Sequence, residues 1–204
     1  MPLLMKHTGP LWGIWKIEEP SEVLLALLQN RKEYLPQLAL IRTEQRREWL
    51  ASRVLLQELT GGSALIAYHP NGAPYLYGSS LHISISHTKG YAAVLLQDHP
   101  AAGIDIEYRS ERVSRIRSRF MNPEEEAGID KEYETEHLLL HWCAKETLFK
   151  MVGYEEVDFL RHLHVCPFPY AEKGSFTVYE TRTGERTVYR LNYLVTPDFV
   201  LTRS

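Results

Sequence analysis

The sequence predicts an α+β protein: two similar α/β lobes in tandem, each a long helix packed on a small antiparallel sheet, related by a pseudo-twofold. Three observations predict it. The 204 residues are 44% apolar and 24% charged, enough to build a packed core. Helix-periodic and strand-periodic stretches alternate along the chain. Finally, Ala51–Gly61 (ASRVLLQELTG) can be laid on Cys143–Gly153 (CAKETLFKMVG), with Arg53 on Lys145, Leu56 on Leu148 and Gly on Gly. Strand hairpins follow each copy. The alternative is a coincidence of two amphipathic helices. The lobes divide near residue 102, as 1–102 and 103–204, with a ligand site expected at the seam.

In order, residues 11–18 read as a first strand, and Ser21 as the cap of a short helix over Glu22–Gln29 after Pro20. From Thr43 the pattern is helical, with Trp49, Leu50, Val54, Leu55 and Leu59 on one side and Gly61-Gly62 as the stop. Ala64–Tyr68 is strand-like and runs into the turn His69-Pro70-Asn71-Gly72. Leu81–His87 pairs with Tyr91–Leu96 through Thr88-Lys89-Gly90, and Ala101–Glu107 forms another strand. A long helix over Glu136–Val152 follows, then strands at Leu163–Cys166, Phe176–Thr181, Thr187–Leu194 and Phe199–Thr202.

Composition excludes several functions. Lys+Arg number 23 against Asp+Glu 26, a net charge of −3, so nucleic acid is not the expected main partner. The longest apolar runs, such as Val23–Leu28, are too short to span a bilayer. Met1–Pro10 lacks the apolar region of a secretory signal. Cys143 and Cys166 form no CxxC pair and read as free thiols of a reducing, cytoplasmic compartment.

Gly103-Ile104-Asp105-Ile106-Glu107 is the most informative pentapeptide. A strand turns Asp105 and Glu107 to one face and the isoleucines to the other. Paired carboxylates repel unless a cation lies between them, and oxygen donors suit Mg²⁺ or Mn²⁺. A solvated strand face is the alternative. Glu146 is a candidate third carboxylate. At about 100° per residue it lies roughly 40° from Trp142 and 60° from Phe149, inside an apolar stripe. There a carboxylate is costly unless paired or metal-bound. An i,i+4 surface pair with Lys150 is the other reading. His137 and His141 have a Zn²⁺-compatible spacing but no third ligand, and read as surface histidines. Arg109, Arg112, Arg115, Arg117 and Arg119 form a basic run flanked by Val113, Ile116 and Phe120, either a solvated face or a docking surface for an acidic protein.

GIDIE (Gly103–Glu107) and WCAKETLFK (Trp142–Lys150) together resemble the 4′-phosphopantetheinyl transferases. Order and length resemble the Sfp-type, two-lobed pseudo-dimeric members rather than the short trimeric synthases. ISISHT (Ile83–Thr88), Arg47–Leu56, and Arg119-Phe120 followed by Glu124–Glu126 extend the resemblance over most of the chain. It implies transfer of the phosphopantetheine arm of coenzyme A to a serine of an apo acyl or peptidyl carrier protein, releasing 3′,5′-adenosine bisphosphate. By it, Asp105, Glu107 and Glu146 hold Mg²⁺ (or Mn²⁺). Glu146 also helps remove the serine proton, and Lys150 neutralises phosphate charge. His87, Ser86, Arg46 and Arg47 would bind the coenzyme A phosphates from the N-terminal lobe, and Arg112, Arg115 and Arg119 would dock the carrier. A monomer without membrane or nucleic-acid partners is expected. The chain departs from the family in reading Gly72-Ala73-Pro74 for GKP, and Gly153-Tyr154-Glu155-Glu156-Val157 where GxGL is usual. The competing classes are a non-catalytic carrier-binding module of the same fold, and a Zn²⁺ hydrolase built on His137 and His141.

Overall fold

Apolar residues at nearly every position of Leu11–Lys16 and Tyr91–Gln97 bury both faces of these strands, which pair at the centre of a sheet. The computed structural model describes residues 2–62, 64–153 and 156–204. The chain divides into two compact units, Met1–Pro100 and Ala101–Ser204.

The first unit contains β1 (Leu3–Thr8), β2 (Leu11–Lys16), α1 (Ser21–Leu27), α2 (Arg31–Leu40), α3 (Arg46–Thr60), β3 (Leu65–Tyr68), β4 (Pro74–Tyr77), β5 (His82–Thr88) and β6 (Tyr91–Gln97). Its antiparallel sheet has the order β1-β2-β6-β5, and β3 and β4 form a separate hairpin. The helix α3 lays Leu50, Val54, Leu55 and Leu59 on the sheet, against Trp15, Val94 and Leu96. It ends at Gly61, whose φ of 66° is left-handed and whose N–H returns to the Gln57 carbonyl at 2.9 Å.

Three differences from the sequence reading have local causes. Ser21 is the first residue of α1 rather than its cap, and Pro20 precedes it without a side-chain bond. The helix α2 contains Pro36, which hides its periodicity; Tyr34 and Leu38 anchor it in the core all the same. The strands β1 and β4 are half-exposed edge segments with little alternation to read.

The second unit contains β7 (Ile104–Tyr108), α4 (Val113–Ile116), α5 (Pro123–Ala127), α6 (Glu134–Val152), β8 (Leu163–Val165), β9 (Lys173–Glu180), β10 (Thr187–Val195) and β11 (Phe199–Arg203). Its sheet, antiparallel throughout, has the order β7-β11-β10-β9-β8. Leu139, Cys143 and Leu148 of α6 join Phe176, Val178, Leu191 and Val200 in its core. Asn122 caps α5 in a reciprocal box with Glu125. Among the described residues no helix is long and apolar enough to cross a membrane.

Candidate active site

The alternation of β7 buries Ile104 and Ile106 on one face and turns Asp105 and Glu107 to the other, where α6 lies. Gly103 makes this close approach possible. A Cβ there would stand 2.6 Å from both the Thr147 carbonyl oxygen and Met151 Cγ, so any other residue would push the strand away from the helix. One turn apart on α6, Glu146 and Lys150 follow. The Lys150 ammonium donates to Asp105 Oδ1 at 2.8 Å and to the Ile104 carbonyl at 2.9 Å. Trp142, one turn earlier, donates its indole N–H to Glu107 Oε1 at 2.7 Å. Phe120 meets the Trp142 ring edge-on at 5.2 Å, and Phe159 packs on Trp142 at 5.6 Å and on Phe149 at 5.5 Å.

The solvated-strand and surface-pair readings therefore do not hold: Asp105 is only 4% exposed and its partner is Lys150. The electrostatics follow from this burial. Desolvation first, then the nearby Asp105 charge, push Glu107 up to about 7. Glu146 also rises to about 7, from burial first and Asp105 next, with Lys150 opposing. Burial pulls Lys150 down, but Asp105 and Glu146 more than offset it and hold the ammonium above its ordinary range. A carboxyl near 7 exchanges its proton at neutral pH, as a general base must.

The donor set is chemically that of a hard divalent cation, whose charge would offset the burial and, next to it, the Asp105 repulsion that lift Glu107 and Glu146. Among the described residues, however, no three acidic, His or Cys side chains gather as a metal cluster. Asp105 turns Oδ1 to Lys150 and Glu107 turns Oε1 to Trp142, so a cation would compete with both.

The remaining candidates separate by location. Ser86 and His87 lie on β5 of the first unit. Ser86 is buried, while His87 is exposed at the end of the face carrying Ile83 and Ile85. Arg46 and Arg47 open α3: Arg46 Nε donates to the Ile41 carbonyl at 3.1 Å, and Arg47 bonds the carbonyls of Glu19 and Ile17 at 3.0 and 3.1 Å. Of the basic run, Arg109 pairs with Glu136, and Arg117 with Glu126 and Glu134, whereas Arg112, Arg115 and Arg119 are exposed. The surface reading of His137 and His141 is overturned. They are 1% and 2% exposed because Phe168 packs on both rings. Of the two family departures, Tyr154 and Glu155 lie outside the described residues.

Sequence reasoning missed the Trp142–Glu107 bond and the role of Gly103 as a spacer. It also missed a buried pair, Lys145 with Glu125, at 2.8 Å. The Asn122-x-x-Glu125 capping signature was the available signal for Glu125.

No curated protein matches the chain. The family model of the 4′-phosphopantetheinyl transferase superfamily matches residues 101–202, the half that carries β7, α6 and the four charged groups between them. The chain belongs to the 4′-phosphopantetheinyl transferase superfamily.

Proposed function

We propose that the protein transfers 4′-phosphopantetheine from coenzyme A to a serine of an apo acyl or peptidyl carrier protein, as an Sfp-type, two-lobed monomer of the cytoplasm. One observation carries the reading: inside the matched stretch Lys150 of α6 donates to Asp105 of β7 and Trp142 to Glu107, and the Asp105 charge is felt by both Glu107 and Glu146. In transfer, the serine oxygen bonds to the phosphorus that carries the pantetheine arm. The bond from that phosphorus to the adenosine bisphosphate oxygen breaks, and the leaving group takes up the charge. Glu146 accepts the serine proton, and Lys150 neutralises charge on the phosphate in flight. Asp105, Glu107 and Glu146 would hold Mg²⁺ or Mn²⁺, which supplies positive charge against the pyrophosphate when bound. Ser86, His87, Arg46 and Arg47 would serve the nucleotide side, and Arg112, Arg115 and Arg119 the carrier.

The two-lobed reading is supported inside each unit. In the first, a Cβ on Gly13 of β2 would meet Leu55 and Leu59 of α3 at 3.2 and 3.1 Å. In the second, Gly103 meets Thr147 and Met151 of α6. Laying Ala51–Gly61 on Cys143–Gly153 puts Leu55 on Thr147 and Leu59 on Met151. Each long helix thus crosses a glycine at matching helical positions.

The test is incubation with coenzyme A, Mg²⁺ and a panel of apo carriers, read by intact mass. A carrier gaining the phosphopantetheine mass, with no gain in excess EDTA, is the expected result. Carrier binding without any mass gain across the panel would leave a binding module, and full transfer in EDTA would remove the metal assignment.

A further inference from the structure

Lys145, which immediately precedes Glu146, is 0% exposed and is not needed by the transfer chemistry above. Its three ammonium donors are all used, and each goes to a different chain segment. One reaches the Phe120 carbonyl in the turn after α4, one Glu125 Oε2 on α5 at 2.8 Å, and one the Phe159 carbonyl before β8 at 3.0 Å. Glu125 is itself fixed, accepting from Val165 N at 2.9 Å and from Asn122 N at 3.0 Å. A lysine kept only to satisfy Glu125 would need one bond. Here two more hold the backbone of the two phenylalanines whose rings pack on Trp142.

We infer that Lys145 is a positioning residue for the transfer site: by clamping the Phe120 and Phe159 carbonyls it seats the aromatic wall that aims the Trp142 indole at Glu107. The inference deepens the transfer reading and rests on it for its kinetic consequence, though not for its structural one. Partners that orient a ligand carboxylate are worth about 10–100-fold in activity when removed. The ammonium suits the task because its donors point in three directions, whereas a guanidinium presents a planar fork.

Removing Lys145 alone would strand a buried Glu125 charge, so the test uses the double variant Lys145→Met/Glu125→Gln, whose glutamine can still accept from Val165 N. The direct readout is the indole N–H resonance of Trp142 in ¹⁵N-tryptophan-labelled protein, assigned with Trp142→Phe. The double variant should melt cooperatively, shift that resonance, and slow single-turnover transfer about 10–100-fold. Arg53→Met, the counterpart buried cation of α3, should leave the resonance in place. Phe159→Leu keeps the carbonyl but removes the ring, and should also shift it. A parent-like resonance and rate in the folded double variant would overturn the inference; if that variant does not fold, a parent-like resonance in Phe159→Leu does so. If no carrier is modified by the parent, the transfer reading fails while the resonance still decides the clamp.

Discussion

The helices α3 and α6 each pass close to a glycine, Gly13 and Gly103, but bury opposite chemistry beside it. Beyond Gly13, Trp15 of β2 and Ile17 just after it face the core, 4% and 8% exposed; beyond Gly103, β7 presents Asp105 and Glu107 at the same steps. Under the tandem correspondence Leu50 falls on Trp142, Val54 on Glu146, and Glu58 on Lys150. Burying a large apolar side chain stabilises by about 1.5–3 kcal/mol. Holding Glu107 and Glu146 near 7 instead of 4.5 costs on the order of 3 kcal/mol each at neutral pH. Beside its glycine the first unit thus buries apolar side chains, whereas the second gives up stability for charge. Even the buried cations differ. Arg53 lies over Trp49 at 3.5 Å and bonds Tyr68 with no carboxylate partner in the described residues, whereas Lys145 is paired with Glu125.

The sharpest contrast is between Lys150 and Glu58. Lys150→Ala should slow transfer ~10²–10³-fold, the loss typical of one charge-stabilising donor. It should also lower the melting temperature, because Asp105 loses its ammonium. Glu58→Ala, at the matching position and exposed, should change neither. Single-turnover transfer and thermal melting of both variants check this; equal behaviour would break the comparison.

The two glycines come next. Gly13→Ala and Gly103→Ala each drive a Cβ into a backbone oxygen, at 2.8 Å from Met5 O and 2.6 Å from Thr147 O. Both should destabilise by ~1–3 kcal/mol in denaturant melts. Only Gly103→Ala should also slow transfer below the melting range, because it displaces β7 from α6. A transfer defect in Gly13→Ala alone would contradict the assignment of chemistry to the second unit.

Acid should expose the buried histidines of α6. Burial holds His141 down to about 3, against 6.5 when exposed. Above 6.5 it is neutral folded or unfolded and contributes nothing. Below 6.5 the unfolded chain takes a proton that the folded chain refuses until about 3, so stability falls across that window. At pH 5 the loss is ~2 kcal/mol. His141→Gln should flatten that limb of the melting curve; an unchanged limb places the acid sensitivity elsewhere.

The smallest effect is expected at the exposed arginines. Reversing Arg112, Arg115 and Arg119 to Glu should raise the KM for carrier about tenfold and leave that for coenzyme A near the parent, with the gap closing at high salt. Kinetics equal to the parent would return these residues to a solvated face.

What was legible in the sequence follows from range. The alternation of Gly103–Glu107 and the 3.6-residue stripe of α6 are local patterns, so the strand, the helix and the facing of Asp105 and Glu107 could be read directly. The pairing of Lys150 with Asp105 needed the tertiary approach that Gly103 permits. Lys145 with Glu125 joins segments whose separation carries no periodicity. The burial of His137 and His141 depends on Phe168 from a loop that no local pattern places over them. The helix α2 was hidden by Pro36, since tertiary anchoring by Tyr34 and Leu38 outweighs one lost hydrogen bond.

Whether the charge buried in the second unit serves chemistry at the expense of stability is tested most directly by Glu146→Gln, which keeps the shape and removes the charge. Single-turnover transfer to an apo carrier and thermal melting are measured on the same preparation. Transfer should slow ~10²–10⁴-fold, as for loss of a general base, with a melting temperature equal to or above that of the parent. A parent-like rate, or a fall in melting temperature large enough to explain a lost rate, would contradict it.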